Sequence, residues 1–214
     1  MRLRVVFFSL LVLAVVASPA MAADLYDNGP INGQVDAWTI NFGFTVTNSM
    51  QVNGTVTGLD FGAFLIPGDT VTSVEVSISG SPFGRDLFDE VVSTTQSNCF
   101  SNQYGYNICN ESASFSGPTL NGNYWLTLQN ATVPSGDPVY WDENSGVGCL
   151  SPGCPSQAQE NTVGTIPSES FTLEGTPGTT TTSTSTGTTP EPSSILLLGS
   201  GVLGILGVMR RRNE

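Results

Sequence analysis

The chain has no histidine and no lysine among its 214 residues. The first absence removes Ser-His-Asp and Cys-His catalysis and the commonest zinc ligand. The second removes Schiff-base chemistry and Lys–Asn isopeptide cross-links. Basic charge is scarce as well. Between Ala23 and Pro192, Arg85 stands alone against 17 Asp and Glu, a net charge of −16 compared with −12 for the whole chain. Such a surface repels phosphate backbones and anionic headgroups, so no nucleic-acid partner is expected. Helical periodicity is missing too, from Ala23 to Gly175.

What is present begins with an export signal. Arg2 and Arg4 precede the apolar run "VVFFSLLVLAVVA", and Ala20 and Ala22 occupy the −3 and −1 positions of a cleavage site. This order is read by signal peptidase, so residues 1–22 form a signal peptide and the mature chain begins outside the cytoplasm. Export makes the four cysteines disulfide candidates, with three connectivities open. Cys99–Cys109 and Cys149–Cys154 are favoured because each pair closes a short, turn-rich loop, "CFSNQYGYNIC" and "CLSPGC". A four-cysteine zinc site is the alternative, but the first spacing is wide for it.

The body reads as β. In "WTINFGFTVTN", Trp38, Ile40, Phe42, Phe44 and Val46 alternate with polar residues, and "VEVSI" repeats the pattern. Period-two alternation marks half-buried strands. Asn53-Gly54 between them suits a two-residue hairpin. Further strands are expected at "LDFGAFLI", "FDEVVST", "YWLTLQNATV", "PVYWD" and "ESFTLEG". The expected fold is all-β, a single antiparallel jelly-roll-like β-sandwich over residues 23–174. Residues 175–189, almost wholly Thr, Ser, Gly and Pro, read as an extended linker.

The last segment has three parts: Pro190-Glu191-Pro192, the apolar run Ile195 to Met209, and Arg210, Arg211 and Arg212. Fifteen helical residues reach about 22 Å and, with Ser193 and Ser194, about 26 Å, short of a bilayer core. Residues 193–209 are thus a weak transmembrane helix with a basic stop-transfer cluster. Its "GSGVLG" is no dinucleotide fingerprint, since no strand precedes it.

The order of these parts resembles the PEP-CTERM sorting tail of exported bacterial proteins, a tail also named after ice-binding proteins that carry it. The resemblance covers residues 190–214. It implies an exosortase-type processing enzyme as partner, transient membrane attachment through the helix, and delivery to the cell surface or to an exopolysaccharide or biofilm matrix. Segments such as "NYWLTLQNATV" and "VYWDENSG" are similar to β-rich domains upstream of such tails, which mostly lack an assigned activity.

Within the body, aromatic residues are the first lead to a ligand. Tyr124, Leu126 and Leu128 share one strand face, which leaves Trp125 on the polar side, and Trp141 lies beside Asp142, Glu143 and Asn144. Exposed rings beside carboxylates suit sugar recognition, so Trp125 and Trp141 are candidate ligand-binding residues for exopolysaccharide, and the favoured alternative is that a loop or the edge of the second sheet covers both rings. Asp137, Asp142, Glu143 and Asn144 offer the hard oxygens that calcium takes, although no regular calcium-loop motif is present. No other cofactor is expected. Glycoside hydrolysis by a carboxylate pair is the one enzymatic route left open, and no pair stands out, so no catalytic residue is assigned. The expectation is a non-enzymatic surface or matrix protein, with a carbohydrate-binding module as the alternative.

Overall fold

In the computed structural model, residues 22–34 and 36–178 are described. The signal peptide, most of the linker, the PEP segment and the apolar helix lie outside these residues. The described residues form eleven strands and no helix. These are β1 (Ala23–Asp27), β2 (Asp36–Thr39), β3 (Thr45–Leu65), β4 (Ser73–Ser79), β5 (Phe88–Ser101), β6 (Asn107–Ser114), β7 (Thr119–Thr132), β8 (Tyr140–Glu143), β9 (Ala158–Glu160), β10 (Gly164–Ile166) and β11 (Phe171–Pro177).

The organising element is β3, 21 residues long. Its first half pairs with β7 and its second half with β6, while β4 and β5 join β7 to β6. The ring β3–β7–β4–β5–β6–β3 is therefore closed. All-β was expected, but the core is a closed five-strand barrel with extra strands rather than a jelly-roll-like sandwich.

A bulge lets one strand serve two walls. Thr55 pairs with Thr119 and Gly58 with Ser114, and on the other edge Gly58 and Val56 face the consecutive residues Glu174 and Gly175. Thr57 is the extra residue on the β11 edge, and on the other edge Val56 and Thr57 lie between the β7 and β6 pairings. An extra residue bends a strand and increases its twist, which is how a sheet turns a barrel corner. Asn53-Gly54 is accordingly mid-strand and forms no hairpin. A Cβ on Gly54 would meet the Thr176 carbonyl oxygen at 2.5 Å, so close approach of β11 is what requires glycine there.

The alternation from Trp38 to Val46 also breaks. β2 ends at Thr39, and Phe44 N donates to the Asn41 carbonyl across a tight turn. Phe42, at a positive φ of 56°, is 64% exposed instead of facing inward. In β4 the alternation holds, with Val74, Val76 and Ile78 fully buried. Leu59, Phe61, Ala63 and Leu65 of β3 face the same interior with Leu126 and Leu128 of β7. Each such Val, Leu, Ile or Phe side chain contributes about 1.5–3 kcal/mol by leaving water.

The remaining strands line the outer edge of β3. β11 pairs along Gly54–Phe61, β8 at Ala63–Phe64 and β9 at Val46–Asn48. β1 adds to β11 with Ala23 opposite Gly175, so the described chain enters and leaves side by side. β11 runs to Pro177, three residues into the stretch read as linker. Both expected disulfides are formed: Cys99–Cys109 joins β5 to β6, and Cys149–Cys154 closes the loop after β8.

Candidate functional site

Two places in the described residues gather aromatic or acidic side chains. The first is an open cleft of about 480 Å³ lined by Asp36, Ala37, Phe64, Tyr104, Tyr106 and Tyr140. Phe64 and Tyr140 are direct register partners on β3 and β8, so both rings leave the same sheet face. Asp36 and Ala37 come from β2, which pairs with β8. Tyr104 and Tyr106 come from the β5–β6 hairpin closed by Cys99–Cys109.

That hairpin is built around Asn102. Its Oδ1 accepts from the backbone N–H of Tyr104 and of Tyr106, each at 3.0 Å, and its own N–H donates to the Tyr106 carbonyl at 2.9 Å. Gly105 supplies the positive φ of 87° that the turn demands. Asn102 Nδ2 donates to the Gly33 carbonyl at 3.3 Å, leaning the hairpin on the 28–34 segment. The Tyr106 ring stands edge-on to Tyr140 at 5.8 Å and lies 6.1 Å from Phe64. Tyr104 is 61% exposed. Burial, and then the adjacent Tyr106, push the Tyr140 phenol above its ordinary pKa, so it remains a hydroxyl donor at neutral pH.

The second place is acidic and buried. Asp36, Glu143 and Glu169 are consecutive register partners across three strand segments, a row that runs inward from the cleft. Glu143 Oε2 accepts from the Trp38 indole N–H at 2.9 Å. Asp142 projects to the other face, where its oxygens accept from the N–H of Asn32 and of Gly33 at 2.9 and 2.8 Å. Burial raises the Asp142 pKa, and these backbone bonds and Ser170 work against that rise. Asn144 Nδ2 donates to the Asn28 and Pro30 carbonyls. Asp142 and Asn144 thus clamp the 28–34 segment against which the tyrosine hairpin leans.

The structure redistributes the sequence candidates. Trp141 is fully buried, its indole N–H donating to the Ser170 carbonyl at 2.8 Å and its ring edge-on to Phe171 at 5.8 Å. It is core because β8 sits between β2 and β3 and is covered by β11. Trp125 is half-buried and outside the tyrosine cleft. Asp142, Glu143 and Asn144 are buried rather than on a solvated loop, and Asp137 is separate, with its carbonyl accepting from Asn41 Nδ2. Among the described residues no three acidic or cysteine side chains converge as a metal site. Tyr104, Tyr106, Tyr140 and Glu169 were missed. The usable signal was "YGY" inside a cysteine-closed loop, which places two rings on one tight turn.

Residues 188–212 match the family model of the PEP-CTERM protein-sorting motif. The chain carries a PEP-CTERM sorting motif. The motif covers the Pro190-Glu191-Pro192 break, the apolar run and Arg210, Arg211 and Arg212, and it indicates an exported, membrane-processed protein handled by an exosortase-type enzyme. No curated protein is measurably similar to the chain in sequence.

Proposed function

We propose that this PEP-CTERM protein is a non-catalytic glycan-binding module of the cell surface or extracellular matrix, and that the tyrosine cleft is its binding site. The observation that carries the reading is the open cleft in which Tyr104, Tyr106, Tyr140 and Phe64 stand together beside Asp36. Aromatic faces stack on the C–H faces of sugar rings, and phenol and carboxylate groups read hydroxyls. A concave, mostly apolar site with a few polar groups is the usual form of a ligand pocket. The charge of −16 on the body favours a neutral glycan over an acidic one.

A hydrolase is disfavoured by the same cleft. Glycoside hydrolysis uses two carboxyl groups flanking the bond, and Asp36 is the one carboxylate among the lining residues. The test is a glycan array that includes the host's own exopolysaccharide, with exported full-length protein. Saturable binding to a neutral glycan, lost in Tyr104→Ala with an unchanged melting temperature, supports the module. No binding to any glycan leaves a structural matrix role. Binding lost in Trp125→Ala and kept in Tyr104→Ala moves the site to β7.

A further inference from the structure

Glu111 on β6 is fully buried, and neither carboxyl oxygen has a hydrogen-bond partner. Its register partner on β5 is Gln96, whose Oε1 is also buried and unpartnered. Directly opposed residues of an antiparallel pair project from the same face, so the carboxyl and the amide are neighbours. The nitrogen of that amide is occupied: Gln96 Nε2 lies 3.0 Å from Sγ of Cys99 and 3.0 Å from Sγ of Cys109. Buried oxygens without a donor are costly, and an ionised carboxylate can only accept. A neutral carboxylic acid carries an O–H and answers both needs at once.

Among the described residues no cation competes for Glu111, since Arg85 is paired with Glu75 and Asp89. β5 carries no charged side chain from Val91 to Ser101, and Glu111 is the sole charged residue of β6. Phe61 lies opposite it on β3, while Asp60 of β3 and Glu174 of β11 take alternate positions, on the other sheet face. Burial raises the carboxyl to about 7, an influence that the nearby Thr94 hydroxyl opposes although it donates to the Val71 carbonyl. The change of state therefore falls near neutral pH.

We infer that Glu111 is a proton-operated latch on the tyrosine hairpin. Protonated, it donates to Gln96 Oε1 and leaves the amide N–H groups on the disulfide sulfurs. When the proton leaves to solvent, the carboxylate becomes an acceptor only, and the Gln96 amide turns over to donate to it. Oε1 then faces two sulfurs that offer no hydrogen, and the Gln96 side chain loses both of its contacts to the Cys99–Cys109 bridge. Ser101 to Asn107, with Tyr104 and Tyr106, is looser in that state, and the cleft binds more weakly. Regulation of binding rests on the cleft being the ligand site, whereas the latch itself does not.

The test is hydrogen exchange of the exported full-length protein, with rates at residues 101–107 referred to their intrinsic values at each pH. Protection in wild type should fall about three- to tenfold on raising the pH through neutrality, the worth of one hydrogen bond. Glu111→Gln, which keeps a donor and an acceptor, should hold the acid-side protection throughout. A wild-type hairpin with pH-independent protection, or a Glu111→Gln hairpin that loosens equally, overturns the latch. If that variant does not fold, the carbon-13 shift of the wild-type Glu111 carboxyl decides. A midpoint near 7 supports the latch, and one in the ordinary carboxylate range overturns it. Glycan affinity at the same pH values is a separate arm. Hairpin protection that titrates without any glycan binding keeps the latch and removes the proposed function.

Discussion

Glu143 and Glu169 face each other as partners in an antiparallel bridge, although both are buried and Arg85, the one basic side chain among the described residues, is engaged with Glu75 and Asp89. Like charges directly opposite each other are destabilising. Burial first, and then the charges of Glu143, Asp142 and Asp36, push the Glu169 carboxyl well above its ordinary value. Folding therefore favours the neutral form of this acid.

Stability should follow from that state. A carboxyl whose folded pKa is raised keeps its proton in the native state after the unfolded chain has lost it. Its contribution is complete below the ordinary value of 4.5 and is lost as pH rises towards the folded pKa. Glu169→Gln should remove this slope and stabilise the protein at pH 7–8 by about 1–3 kcal/mol. Thermal unfolding of both proteins across pH 5–8 measures it. Repeating the curves in chelator and in millimolar calcium tests the cation expectation: a calcium-dependent rise in the wild-type melting temperature would place a metal on these carboxylates.

The two tryptophan candidates should separate cleanly. Trp141→Ala removes a fully buried ring packed on Phe61 and Phe171 and leaves the Ser170 carbonyl without its donor. The cost should be about 3–5 kcal/mol, enough to abolish folding in a marginal domain. Trp125→Ala, at a half-buried position, should cost clearly less. Urea denaturation of the pair checks the ordering.

Replacing Cys99 and Cys109 together with serine should cost about 3 kcal/mol, from loop-closure entropy alone. It should also weaken glycan binding more than replacing Cys149 and Cys154, because the first loop carries Tyr104 and Tyr106. Equal effects on binding would dissociate the hairpin from the cleft. Non-reducing peptide mapping of exported material should recover both bridges.

In the native host, mature protein should end at or near Pro190–Pro192 and lack Ile195 to Glu214. The apolar run is short for a bilayer and diluted by Gly199, Gly201, Gly204 and Gly207. Intact mass of surface or matrix material decides: the full tail on most molecules would make it a lasting anchor.

Local rules carried much of this fold. Alternation located β4, loop length paired the cysteines, and the three-part tail announced its own sorting motif. The failures share a cause. Asn53-Gly54 obeys hairpin chemistry, yet β3 runs through it because partners on both edges supply hydrogen bonds that a hairpin would forgo. Whether Trp141 and Asp142 face solvent was illegible because a short strand between acidic residues gives no sign of what covers it. The covering elements, β11 and the 28–34 segment, lie far away in sequence. Glu111 and Glu169 were illegible for the same reason: burial of an acid is a property of its distant neighbours.

β11 gives the barrel a mechanical character. The chain leaves the described domain at the Pro177 end of this strand, whereas Phe64 of the cleft lies beyond the opposite end of its pairing with β3. A tug on the tail against a ligand held in the cleft would draw β11 and β3 in opposite directions along their common axis. Their seven paired residues, Phe171 to Pro177, would then share the load in shear instead of parting one after another as in a zipper.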